Sequence, residues 1–113
     1  MEIWHNPRCS KSRAAKQALD AATIDHVERR YLDDAPTAVE IAAVLDKMGA
    51  EPWDITRLGE ARAKELGLAT LARDRDAWLE VLAANPVLIE RPIVITDTTA
   101  FVARTDEALA SLR

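Results

Sequence analysis

Cys9 is the one thiol in the chain, and it stands in the run Asn6-Pro7-Arg8-Cys9-Ser10-Lys11-Ser12-Arg13. A short apolar run ends before it and a helical pattern begins after it, which places the sulfur at a helix N-terminus. The free amides of such a terminus carry partial positive charge, and Arg8, Lys11 and Arg13 add full charges in the same loop. Both effects favour thiolate over thiol, and the thiolate is the nucleophile. Three cations and a turn around the sulfur, with no apolar neighbours in sequence, argue against an inert buried cysteine. With no second cysteine an internal disulfide cannot close, so any redox cycle at Cys9 takes its other thiol from outside.

The bulk composition narrows the setting for that thiol. A chain of 113 residues fits a single domain, residues 1–113, with one core. A formal net charge of −4 argues against nucleic acid as a partner. Met1 to Trp4 is too short for the apolar core of a secretory signal, so none is expected, and the longest apolar stretches are far shorter than a membrane span, so no membrane partner is expected. One free cysteine fits a reducing cytoplasm. The two histidines, His5 and His26, lie too far from each other to build a metal site with Cys9, so neither a metal nor a bound cofactor is expected.

The elements that must position the sulfur follow from local pattern. Glu2 to Trp4 opens the chain as a short apolar stretch, and Asn6-Pro7 reads as a turn. A helix begins near Ser10, with Ala14, Ala15, Ala18, Leu19 and Ala22 on one face. Alternation predicts a strand near residues 26–31. Thr37 and Glu40 have the spacing of a capping box for a second helix, whose buried stripe is Ile41, Val44, Leu45 and Met48 and whose stop is Gly49. An irregular segment or short helical turn over 52–59 carries Arg57, a short helix over 60–66 closes at Gly67, and a helix over 74–84 turns Trp78, Val81 and Leu82 inward. Strands over 92–96 and 100–104 form a hairpin around Asp97 to Thr99, and Thr105 caps a last helix running to Leu112. A βαβ unit followed by helices, a hairpin and a closing helix outlines an α/β, thioredoxin-like domain: a small mixed four-stranded sheet flanked by helices.

Beyond this outline, His5-Asn6-Pro7-Arg8-Cys9-Ser10-Lys11-Ser12-Arg13 resembles the opening motif of the glutaredoxin-dependent arsenate reductase family. Glu65-Leu66-Gly67-Leu68 and Asn85-Pro86-Val87-Leu88-Ile89-Glu90-Arg91-Pro92-Ile93-Val94 resemble its internal and C-terminal signatures. The likeness runs from His5 to about Leu112. It implies a thioredoxin-like fold with an inserted helical region, and a catalytic cysteine, Cys9, that attacks arsenate. It also implies that Arg57, Arg91 and Arg104 bind the oxyanion, that His5 and Ser12 sit near the thiol, and that Pro92 is cis. Where the family usually has proline after its third arginine, this chain has Thr105, and its hairpin turn lacks the family's glycine.

The chemistry asks for such parts. Arsenate is a tetrahedral anion rich in acceptors, and arginine forks supply paired donors that keep their charge. Attack by Cys9 forms a covalent adduct; external glutathione, or another low-molecular-weight thiol, releases arsenite and leaves Cys9 in a mixed disulfide, which glutaredoxin resolves. The partners implied are thus arsenate, glutathione and glutaredoxin, acting on a monomer in arsenic detoxification. From the residues alone, His5 reads as a solvated strand-end histidine and each arginine as a surface charge, with the motif match adding a role for His5 in tuning the thiol, while Ser12 reads either as an ordinary first-turn serine or as donating its hydroxyl to the Cys9 thiolate. His26 reads as a surface residue, the tryptophans as packing, and Arg29-Arg30 with Asp33-Asp34 as a solvated, charge-compensated surface. Two other functions fit the same outline. One is a glutathione-linked thiol oxidoreductase that ignores arsenate. The other is a thioredoxin-like stress regulator that binds RNA polymerase, although Ser12 stands where such sensors usually carry their second cysteine.

Overall fold

The sheet draws its strands from the two ends of the chain. In this computed structural model, which describes residues 1–110, the order is β1 (Glu2–Trp4), α1 (Ser10–Ala21), β2 (Val27–Arg29), α2 (Ala38–Met48), α3 (Ala61–Glu65), α4 (Arg75–Ala84), β3 (Ile93–Ile95), β4 (Ala100–Val102) and α5 (Asp106–Ala110). Single 3-10 turns lie at Pro52–Ile55, Leu68–Thr70 and Pro86–Leu88. The expected end of the last helix at Leu112 lies outside the described residues. The chain divides into two compact units, Met1–Asp34 with Arg91–Arg113, and Ala35–Glu90.

The first unit holds the four-stranded sheet, ordered β2-β1-β3-β4. β1 pairs parallel with β2, and β3 pairs antiparallel with both β1 and β4. The central strands are the apolar ones: Ile3 and Trp4 on β1 and all of Ile93–Ile95 on β3 are buried, as strands covered on both faces should be. β2 is an edge, with Val27 64% exposed, and its regular part is shorter than residues 26–31. α1 lays Ala15 and Leu19 onto Ile3, Val94 and Ala103, with Ile24 and Phe101 at the margin. Truncating Leu19 to alanine is therefore expected to cost about 2–5 kcal/mol of stability, checked by urea denaturation. The hairpin that lacks glycine is built from threonines instead. The Thr96 amide donates to the Thr99 carbonyl at 2.8 Å, and the Thr96 hydroxyl accepts from the Thr99 amide at 2.9 Å. The Thr105 hydroxyl accepts from the Ala108 amide at 3.0 Å and so caps α5.

The second unit, Ala35–Glu90, corresponds to the inserted helical region. Its α2 has the expected capping box: Thr37 Oγ1 accepts from the Glu40 amide at 3.1 Å, and Glu40 Oε1 accepts from the Thr37 amide at 3.0 Å. Gly49 ends the helix at φ 69°, a conformation glycine adopts without steric cost. Thr37→Ala leaves the Glu40 amide without its cap, and a loss of about 1 kcal/mol is expected in thermal or urea melts. α4 packs on α2 with Trp78, Leu79 and Leu82 buried, whereas Val81 is only half-buried. The inner face is therefore turned toward Leu79, one position from the expected stripe. Arg75 ties the start of α4 to Asp46 at 3.0 Å and to Glu51 at 2.9 Å. Trp53 meets Trp78 edge-on, with ring centroids 5.9 Å apart.

Candidate active site

Cys9 is the N-cap residue of α1, in extended conformation at φ −97° and ψ 125°. Its amide donates to the Asn6 carbonyl at 3.0 Å, which closes the tight Asn6–Cys9 turn, and its own carbonyl receives the Arg13 amide at 2.9 Å. The side chain is partly exposed. Burial pushes the thiol pKa up, but the Ser12 amide, the Arg91 side chain, the Lys11 amide and the Arg91 charge together outweigh it, so the pKa falls below its ordinary value. The neutral sulfur makes no capping hydrogen bond of full geometry. The helix amides act on it as an anion, as expected for a helix N-terminus.

The cation that acts on the sulfur differs from the expected ones. Arg91 contributes both a donor and a charge. The side chains of Arg8, Lys11 and Arg13 are directed elsewhere or to solvent. Arg13 Nη1 donates to the Pro7 carbonyl at 3.0 Å and braces the loop. Lys11 is exposed and acts through its backbone amide. Arg8 is exposed, and its amide donates to Asn6 Oδ1 at 3.0 Å.

Arg91 precedes β3 through a cis peptide bond to Pro92, as the family resemblance implied. Its Nε is buried without a hydrogen-bond partner among the described residues. A buried cationic donor left unpaired is costly, and an anion seated beside the sulfur would pair it. Arg104 follows β4, and its Nη1 donates to the Arg91 carbonyl at 3.3 Å. The β3–β4 register continues this approach, with the Ala103 amide donating to the Pro92 carbonyl at 2.9 Å. Thr105, in place of proline, leaves Arg104 at the end of the ladder. The first unit thus sets the Arg91 side chain at Cys9 and the Arg104 side chain at the Arg91 backbone.

His5 and Ser12 also meet, though not in the arrangement expected. Ser12 is fully buried, and its hydroxyl lies 2.6 Å from His5 Nδ1 while accepting from the Asn6 amide at 2.9 Å. Ser12 acts on Cys9 through its backbone amide, and the hydroxyl is engaged with the β1 end. His5 is 4% exposed, so it is not a solvated strand-end residue. Burial lowers its pKa, only partly offset by Glu28, whose Oε1 lies 3.6 Å from Nε2. The ring is therefore neutral at neutral pH. Sequence reasoning missed Glu28 and Asn6; the signal available was the parallel β1–β2 register, which sets Glu28 opposite Ile3. Ser12→Ala removes the buried partner of both the ring and the Asn6 amide, and a destabilisation of about 1–3 kcal/mol is expected by urea melt.

Arg57 belongs to the second unit. A short ladder fixes its backbone: its amide donates to the Leu88 carbonyl at 2.7 Å and the Glu90 amide to the Ile55 carbonyl at 2.8 Å, flanking a Thr56–Ile89 bridge. Its guanidinium pairs closely with Glu60. His26 corrects another expectation. Its side chain is 6% exposed, Nδ1 donates to the Ile24 carbonyl at 2.7 Å, and Nε2 accepts from Lys16 Nζ at 2.8 Å. It packs α1 against the segment before β2. Among the described residues no group of three or more His, Cys, Asp or Glu could hold a metal ion, and no helix is long and apolar enough to cross a membrane.

The lowered Cys9 pKa has a direct readout. The rate of iodoacetamide alkylation should rise with pH through a midpoint below that of free cysteine, and Arg91→Ala should move the midpoint upward. A midpoint unchanged by Arg91→Ala would separate the two groups.

The ArsC family model matches residues 4–112. The chain is 58% identical over 113 residues to an uncharacterized protein in the glnII region of Streptomyces viridochromogenes, covering 96% of this chain and 95% of that one. It is 41% identical over 105 residues to an arsenate reductase of Neisseria meningitidis serogroup A, covering 92% and 90%. Its fold superposes on the structure of an arsenate reductase from Vibrio cholerae with a TM-score of 0.91 and 33% identity, over 100% of this chain and 98% of the other. These likenesses establish the thioredoxin-like α/β fold, and with them the chain belongs to the ArsC family.

Proposed function

We propose that this chain reduces arsenate to arsenite through a covalent Cys9 adduct, resolved by external glutathione and glutaredoxin. The observation that carries the reading is the shared environment of Cys9 and Arg91. One guanidinium lowers the thiol pKa and keeps a buried donor unpaired beside it. That is what an oxyanion-attacking thiolate needs. The names of the Neisseria and Vibrio relatives support arsenate as that oxyanion.

In the proposed cycle the Cys9 thiolate attacks arsenic, an S–As bond forms, and an As–O bond breaks with loss of hydroxide, which leaves as water after taking a proton. Arg91 and Arg104 neutralise the oxygens, and Arg57 completes the set. That role for Arg57 requires residues 1–113 to work as one domain, which we propose with it. His5 and Ser12 hold the Asn6–Cys9 turn in shape beneath the reacting sulfur. A glutathione thiolate then attacks the Cys9 sulfur. The S–As pair stays on arsenic, which falls from the pentavalent to the trivalent state and departs as arsenite. Glutaredoxin returns Cys9 from the mixed disulfide. The lone cysteine requires this external step, and we place the cycle in the cytoplasm, where such thiols are kept reduced, with the protein a monomer.

The test is a coupled assay with purified protein, arsenate, glutathione and glutaredoxin, reading arsenite formed. Turnover that stops when glutaredoxin is omitted supports the whole cycle. Reduction of a glutathionylated peptide with no arsenite formed would replace it with a general thiol oxidoreductase.

A further inference from the structure

We propose that the cavity behind the Cys9 turn seats the low-molecular-weight peptide thiol that attacks the adduct, an inference that rests on the arsenate-reducing reading above. The cavity holds about 320 Å³. One wall is Asn6, Pro7 and Arg8, following β1, and the other is Arg30, Leu32 and Asp33, following β2. It therefore opens at the carboxyl ends of two adjacent parallel strands, where open α/β sheets bind small ligands. Its volume falls at the lower end of the roughly 300–1,000 Å³ that small-molecule sites occupy.

The lining charges select the ligand. The Arg8 side chain and the Asp33 carboxylate have no charged partner among the described residues. Arg30 is held by Glu28 at 3.2 Å and remains 56% exposed. His5, at the floor, contributes no charge at neutral pH, because burial lowers its pKa. Two cations and one anion around a small space, with Leu32 and Pro7 as apolar contacts, match a short peptide thiol bearing two carboxylates and an ammonium. Glutathione has that pattern, and a neutral thiol such as 2-mercaptoethanol has none of it.

The cavity wall and the nucleophile belong to one turn. Arg8 is bonded to Cys9, and the Cys9 amide donates to the Asn6 carbonyl at 3.0 Å. A thiol anchored by its carboxylates on Arg8 and Arg30 is thereby held beside the adduct. Its thiolate forms the S–S bond to Cys9 as the S–As bond breaks toward arsenic, which gains the electron pair. Glutaredoxin then takes the first thiol from Cys9 as its own mixed disulfide, and a second thiol releases it as the symmetrical disulfide, so two thiols are consumed for each arsenate reduced.

S-methylglutathione, which cannot react, tests the site on the wild-type protein by NMR titration. The amides of Asn6, Arg8, Arg30 and Asp33 should shift most, and the Arg8→Ala/Arg30→Ala double variant should weaken binding at least about tenfold, the loss expected for one charge-assisted contact. In turnover, the same variant should raise the KM for glutathione about tenfold and abolish the preference for glutathione over 2-mercaptoethanol. Shifts centred elsewhere, or a preference that survives the double variant, would overturn the proposal. Should the wild-type protein turn over arsenate with no thiol at all, the activity reading fails, and the titration still decides the cavity.

Discussion

Cys9→Ser is expected to lower arsenate turnover by at least about a thousandfold, to the rate of glutathione and arsenate without enzyme. Serine keeps the N-cap geometry, because its hydroxyl accepts helix amides well, so the fold should survive. What disappears is the sulfur whose pKa burial raises and the Ser12 amide, Arg91 and the Lys11 amide bring below its ordinary value. A hydroxyl in the same place stays protonated, and it cannot form the mixed disulfide on which the second half of the cycle depends. Two measurements check the result together: arsenite production, and mass spectrometry of the glutathione adduct, which should be absent. Arsenite formed at the wild-type rate by this variant would remove Cys9 from the reaction.

Arg91→Ala comes next in size. A loss of about a hundred- to a thousandfold in kcat/KM for arsenate is expected, as for removal of one preorganised donor at a site of developing charge. The effect has two sources that kinetics can separate. Loss of the charge raises the Cys9 pKa, which higher pH would restore, whereas loss of the buried Nε donor acts at every pH. Arg91→Lys should recover the first part and little of the second, since an ammonium has no planar fork. Arg104→Ala should also lower kcat/KM for arsenate, since its Nη1 donates to the Arg91 carbonyl and so stands next to that donor. If both alanine variants reduce arsenate at the wild-type rate, the oxyanion site lies elsewhere.

Local devices are legible in the chain itself. The Thr37–Glu40 box, the Gly49 stop and the cap position of Cys9 depend on neighbours within a few residues, and all three are present. What depends on register is not legible in that way. Arg8, Lys11 and Arg13 look like the activating cations because they are close in sequence, yet the one that acts, Arg91, arrives through the β1–β3 pairing. Only the family resemblance pointed to it. The Ser12 hydroxyl looks free to face the sulfur, and the competing acceptors and donors at His5 and Asn6 are visible only when β1 has been laid beside α1. His26 looks like a surface residue because nothing near it in sequence is a partner, and Lys16 reaches it from a helical turn of α1.

The pairing of β1 with β3 also has a temporal side. Residues 2–4 lie against residues 93–95, so the central seam of the sheet joins segments that are far apart in the chain and made at different times. A chain still emerging from the ribosome carries Cys9 without Arg91, and its sulfur then lacks the donor and the charge that Arg91 supplies. The share of Arg91 in lowering the thiol pKa therefore waits until β3 has been made and paired with β1.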